Sequence, residues 1–345
     1  MPTVQVDSSL ERRTIDEFRF PLGVYPVEPL TPQPGFVADF EPADGGEEAA
    51  DPSVDPAGAG EWEEWPDRFM YDVLISSERL PALCRALFSL LPGRVYPILD
   101  VLGNDAYREI DPFIAYDLVG IERFLDGVIH FGEWLFEDGL VGFGAMSMDP
   151  FFYIFIDEHK AVTIRVDTSL ETTVKGLLRA FDLDEVPEIL GADAVAHEHR
   201  TVIARTSDPR VGLHADEIVE RLQDSWLLQL NIDTQSNIDD DGKDLGVTPF
   251  RCVLRCHPTD SEKQPTYAEV LLSAPTHEDA ESMALDTAAT NSPQDSQFAE
   301  VRLLSADRFK PETFAEVLRD AEVAADPREL SEERVFAIRW YETDR

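Results

Sequence analysis

Hydrophobic and polar positions follow two rhythms along this chain, and both are clearest between Leu140 and Phe181. Phe151-Phe-Tyr-Ile-Phe-Ile156 is apolar on both alternating faces, the pattern of a strand buried on both sides. Val162, Ile164 and Val166 alternate with Ala161, Thr163 and Arg165, which suits a neighbouring strand with one wetter face. Asp157 to Lys160 is a polar link of hairpin length. Asp149-Pro150 marks the turn before the first of these strands, because proline lacks the N–H a central ladder needs. The rhythm then changes to that of a helix. Thr168 and Glu171 have capping-box spacing, and Leu170, Val174, Leu177, Leu178 and Phe181 fall on one face.

The same grammar extends in both directions. Phe69–Ile75 reads as a strand. A helix follows with its stripe at Leu80, Leu83, Cys84, Leu87 and Leu91, then a second strand at 94–99. Residues 118–137 read as one helix with Ile121, Phe124, Leu125, Val128 and Leu135 inward, weakened by Gly120, Gly127 and Gly132. Beyond a polar stretch at 184–199 a second set of elements begins at 201–205, with strands near 227–232, 250–257, 267–273, 298–304 and 334–340. Helices are expected near 215–224, 276–289 and 311–320. The expectation is an α+β protein with two consecutive antiparallel or mixed sheets, helices on one face of each, and a ferredoxin-like arrangement as one option. The domains would be 67–184 and 198–345, preceded by a disordered, proline-rich acidic arm at 1–66. Aromatic residues at Phe18–Tyr25 and Phe36–Phe40 would dock on the chain's own folded surface more readily than on a partner, as would Trp62 and Trp65.

Composition changes this picture mainly through charge. The 345 residues carry 69 acids against 29 bases, a formal net charge of −40. That sign repels phosphate backbones and anionic lipid, so neither nucleic acid nor a membrane is an expected partner. It attracts a basic protein, or serves as a solubilising surface. The chain starts without a basic segment leading into an apolar one, and no apolar run approaches the ~20 residues that span a bilayer. Three cysteines are too few for a disulfide framework and fit a reducing cytoplasm.

Candidate chemistry is sparse. Glu122, Asp126, His130, Glu133 and Glu137 are spaced to share one helix face, where carboxylates and an imidazole could hold a divalent metal. An acidic protein also puts acids on any solvated helix face, and no second ligand set is evident. Asn237, Asp239 and Asp241 followed by Gly242 match the first half of a calcium loop. Thr248 stands where the bidentate glutamate belongs, so an acidic hairpin loop is the better reading. Cys252, Cys256 and His257, with His197 and His199 upstream, invite a zinc reading. The two cysteines, however, fall on the apolar face of a strand. The nucleotide-loop, nucleophile-elbow and H-E-x-x-H signatures are absent.

The expectation is a non-enzymatic, cytoplasmic binding protein with a basic protein partner and no obligatory cofactor. The competing expectation is a metal-dependent hydrolase built on the Glu122/Asp126/His130/Glu133 face.

Overall fold

A computed structural model of the chain describes residues 4–43, 66–204, 212–239, 242–260, 264–293, 297–324 and 326–341. It is mixed α+β, and every strand pairing of defined register is antiparallel. The chain forms two units. One comprises Met1–Val101 with Pro112–Leu230, and the other Leu102–Asp111 with Asn231–Arg345.

The first unit opens with four strands: β1 (Thr14–Ile15), β2 (Phe18–Arg19), β3 (Val24–Pro26) and β4 (Gly35–Glu41). Then come β5 (Arg68–Leu74), α1 (Leu80–Phe88), β6 (Arg94–Leu102), β7 (Ile110–Ala115) and β8 (Val119–Gly120). α2 (Ile121–His130) and α3 (Gly132–Glu137) lead into β9 (Val141–Met148), β10 (Phe151–Ile156) and β11 (Val162–Asp167). α4 (Glu171–Ala180), β12 (His197–His199), α5 (Ala215–Trp226) and β13 (Leu228–Leu230) complete the unit. The main sheet runs β13-β7-β6-β9-β10-β11-β5-β4, with β8 on β6. Phe152, Ile154 and Ile156 of β10, Val162, Ile164 and Val166 of β11, and Phe143 of β9 are buried in one core with the helices. Each such side chain contributes about 1.5–3 kcal/mol by leaving water. The glycines of β9 permit close strand approach, since a Cβ on Gly144 would stand 2.1 Å from the Ile154 carbonyl oxygen.

The second unit holds β14 (Thr248–Pro258), β15 (Thr266–Ala274), α6 (His277–Thr290), β16 (Phe298–Arg308), α7 (Pro311–Asp320) and β17 (Arg334–Tyr341). Its four strands lie in the order β16-β14-β15-β17. Phe250, Cys252, Leu254, Cys256, Val270 and Leu272 pack on Ala280, Ala284 and Ala288 of α6. Leu271, on the opposite side of β15, packs with Phe314 and Leu318 of α7.

Four expectations change. The helix expected over 118–137 breaks at Phe131, whose φ/ψ of −108°/16° separates α2 from α3. The division expected at 184–198 falls after Leu230, because β12 pairs back to β3 and α5 packs in the first core. The arm expected to be disordered is structured where described: Phe20, Val24 and Phe36 are buried and β4 extends the main sheet, while residues 44–65 lie outside the described residues. The second unit's order is β-β-α-β-α-β with helices on both faces, not the β-α-β-β-α-β of a ferredoxin-like fold.

Candidate metal centre

Three chain segments meet beside the β10–β11 turn. Gly23 N donates to Glu137 O at 2.7 Å, Arg200 N to Gly23 O at 2.8 Å, and Gly139 N to Arg200 O at 3.1 Å. Only glycine fits this crossing. A Cβ on Gly23 would lie 2.1 Å from Gly139 N, and one on Gly139 would lie 2.1 Å from Gly23 O. Buried Asp138 clamps the crossing, with Oδ2 accepting from Val202 N (2.8 Å) and Thr201 Oγ1 (2.9 Å), and Oδ1 from Leu140 N (2.9 Å). Glu137 holds the arm to the same place. Its carboxylate takes both ends of the Arg12 guanidinium at 2.8 and 2.9 Å and the Leu22 N–H at 2.9 Å.

This crossing fixes β12, which pairs with β3 in the register His197–Pro26, Glu198–Tyr25 and His199–Val24. His197 and His199 are two residues apart on a strand, so both rings project from one face. The third ring, His159, comes from the link Asp157–Lys160. There Asp157 Oδ1 accepts from Ala161 N at 2.8 Å, and Lys160 adopts a φ of 67°. Lys160, only 2% exposed, turns under this link and donates from Nζ to the Val141 carbonyl. Burial lowers its pKa to about 8, against the pull of Asp138, Asp157, Glu158 and Glu137.

The three rings form a nearly equilateral set, with centroids 4.8 Å apart in each pair. His197 Nε2 lies 3.0 Å from Nε2 of His159 and 3.0 Å from Nε2 of His199. The outer nitrogens are committed elsewhere. His197 Nδ1 is 2.7 Å from Val195 O, and His199 Nδ1 is 2.6 Å from Gly139 O. Carbonyl oxygens only accept, so each of these Nδ1 atoms carries the proton and each Nε2 of the neutral ring presents a lone pair. His159 Nδ1 faces Glu158 Oε1 at 3.4 Å and Asp157 Oδ2 at 3.7 Å, which favours its proton on the same side. Burial lowers the pKa of His159, but Asp157, Glu158 and Asp193 outweigh it and the net shift is upward. Burial likewise lowers His199, opposed by its bond to Gly139 O and reinforced by the other two imidazoles.

Three lone pairs at this spacing repel one another unless a proton or a cation lies between them. Zinc bound by imidazole at about 2.0–2.1 Å in tetrahedral geometry sets its nitrogens about 3.3–3.4 Å apart. The separations from His197 Nε2 to the other two rings are a few tenths of an ångström shorter, and all three ligand atoms lie within 4.8 Å of one another. Each outer N–H lies against a carbonyl or carboxylate, the usual support for a metal-bound imidazole. Three imidazoles leave a fourth position for water or substrate, and all three rings are partly open to solvent.

The residues singled out from the sequence sit elsewhere. Glu122, Asp126, His130 and Glu133 are exposed, and among the described residues no metal-capable group includes them. The break at Phe131 ends the shared face, His130 lies edge-on to Phe131, and Glu137 is committed to Arg12. Asn237 turns inward, its Nδ2 donating to Gly246 O (2.6 Å) and Thr248 Oγ1 (2.8 Å) while Oδ1 meets Arg308 Nη1 at 3.3 Å. A guanidinium there disfavours calcium. Asp239 Oδ1 accepts from Lys243 N at 2.9 Å, and Asp241 lies outside the described residues. Cys252 and Cys256 are buried free thiols of the second unit's core, and burial raises the pKa of Cys256 to about 11. His197 and His199 therefore find their partner in His159, which sequence reasoning missed. The available signal was His197-Glu-His199, two ligand-type residues on one strand face in a chain with only 7 histidines.

Comparison with protein families, curated proteins and solved structures finds no match to this chain. Among the described residues no helix is long and apolar enough to cross a membrane.

Proposed function

We propose that this chain is a metal-dependent enzyme whose centre is a divalent ion, zinc in the first place, held by His159, His197 and His199. The observation that carries this reading is the convergence of three Nε2 lone pairs backed by outward-committed Nδ1–H groups. An ion on three neutral imidazoles keeps its full charge and one open position. That arrangement lowers the pKa of a bound water to about 7 and polarises a carbonyl or phosphoryl oxygen. The reaction class is therefore hydrolysis or hydration. The hydrolytic chemistry expected of the α2 face moves to the triad. Three buried free thiols suit a reducing compartment, where zinc on imidazole is redox-inert.

The test is elemental mass spectrometry on protein purified without chelator or metal-affinity resin, followed by cobalt substitution. One transition metal per chain, with the visible absorption of tetrahedral cobalt, is the expected result. Protein that takes up neither zinc nor cobalt, or that takes them up equally well as His159→Ala, rules the reading out.

A further inference from the structure

The acidic face of α2 acquires another role from what lies beside it. α1, α2 and α3 enclose a half-open trough of about 540 Å³. Phe88, Leu125, Val128 and Phe136 line it, and Ile129 stands at its lip, 80% exposed. Exposed aliphatic residues are ordinary when solitary, but one that continues an apolar trough of ligand size marks a binding surface. On α2, Ile129 is three residues beyond Asp126 and Leu125 is three beyond Glu122, which sets these two acids along one rim of the trough, and Glu133 of α3 is itself a lining residue. Glu122, Asp126 and Glu133 are all exposed there, and Arg85 is the single basic side chain among the lining residues.

We infer that this trough docks an amphipathic helix with a basic flank, presented by a partner protein. An apolar floor takes the side chains a helix repeats at three- and four-residue intervals. The acidic rim takes lysine or arginine on the adjoining stripe, and the chain's net charge of −40 draws such a segment in from a distance. The inference stands whether or not the triad holds a metal. It gives the basic partner expected from composition a defined place, on the first unit rather than on the acidic arm.

The probe is an 18-residue leucine/lysine amphipathic peptide, with a leucine/glutamate peptide of the same pattern as control. Both are titrated onto the full chain by fluorescence anisotropy at low and at physiological salt. Saturable binding of the lysine peptide alone is expected. It should weaken by ~10-fold or more in Ile129→Ser, the loss typical of one central contact residue. In Glu122→Gln/Asp126→Asn/Glu133→Gln, binding should weaken and lose much of its salt dependence. Ile129 is largely in water already, so its replacement leaves thermal unfolding unchanged, which the same samples report. Three results overturn the inference. One is equal binding of both peptides. Another is binding untouched by Ile129→Ser, which is adsorption to an acidic surface. The last is saturable uptake of the dye 1-anilinonaphthalene-8-sulfonate with no peptide binding, which makes the trough a small-molecule pocket.

Discussion

Two polar clusters in this molecule answer the same problem in opposite ways. In the second unit the Asp105 carboxylate, wholly buried, accepts from Arg308 N and Nε at 2.9 Å each and from Tyr107 N at 2.8 Å. Arg308 Nη1 continues to Ile238 O at 2.7 Å. Arg108 is paired with Asp111 at 2.7 Å, and His277 Nε2 lies 3.3 Å from Arg108 Nη1. Acids and bases alternate, and its charged groups find partners within the cluster, the buried His277 Nδ1 being left without one. The histidine triad has three groups of one kind. Each spends its donor outward on Val195 O, Gly139 O or the acids beside His159, and each points an acceptor inward. A buried polar cluster that closes on itself holds structure, whereas one whose acceptors converge without a donor is poised for a cation.

The largest expected effect tests the closed cluster. Arg308→Ala leaves Asp105 charged and buried without its partner, which costs about 3–5 kcal/mol. Calorimetry should show the second unit's transition lowered or lost, and an unchanged thermogram would remove the contrast. Next comes His197→Ala, expected to weaken zinc binding by more than ~100-fold, beyond what an outer partner costs. Unlike Arg308→Ala, it should leave the metal-free protein no less stable, since it relieves facing lone pairs. Competition with a chromophoric chelator and unfolding with chelator present give both readings.

The third effect is a pH limb. Burial, followed by Arg108 and Arg308, lowers the pKa of His277 from 6.5 to about 4. The folded state therefore favours the neutral ring. Its contribution is complete above pH 6.5 and is lost as pH falls toward 4, amounting to about 3 kcal/mol at 1.36 kcal/mol per unit. Denaturant unfolding from pH 7 to 4 should show this limb in the wild type and a flatter one in His277→Gln. The smallest effect belongs to Asp138→Asn. It touches no ligand but loosens the crossing that places Gly139 O behind His199, and should weaken zinc by about 10–100-fold. Zinc affinity equal to wild type would mean that His199 holds its position unaided.

Much of the scaffold could be read from pattern. Phe151–Ile156 announced a strand, though not one buried on both faces: Phe152, Ile154 and Ile156 are buried while Tyr153 and Phe155 on the other face are half-buried. The alternation of Phe250, Cys252, Leu254 and Cys256 placed both thiols in a core. Periodicity failed where tertiary contacts decided the outcome. Phe131 carries an apolar ring that the core takes up with a non-helical backbone, so a continuous pattern became two helices. Prolines made the first residues look disordered, yet Phe20 and Val24 found a surface to bury against. The triad was invisible for a related reason. Ligand spacing along one helix can be counted, but 38 residues separate His159 from His197, and only the folded backbone brings them together.

The crossing of Gly23, Gly139 and Arg200 makes the site a record of chain assembly. His199 is backed by Gly139, β12 rests on β3, and His159 waits in a turn between two core strands. No local segment can build this arrangement, because it needs pieces about 20, 140, 160 and 200 residues into the chain to be in place together. Contacts so distant in sequence form late in folding, after the loops between them have closed. Metal capture is thus expected as a terminal step. In refolding with a fluorescent zinc indicator it should trail the burial of Trp134 and Trp226. A chain that holds its ion would be one whose first 26 residues have already found their place.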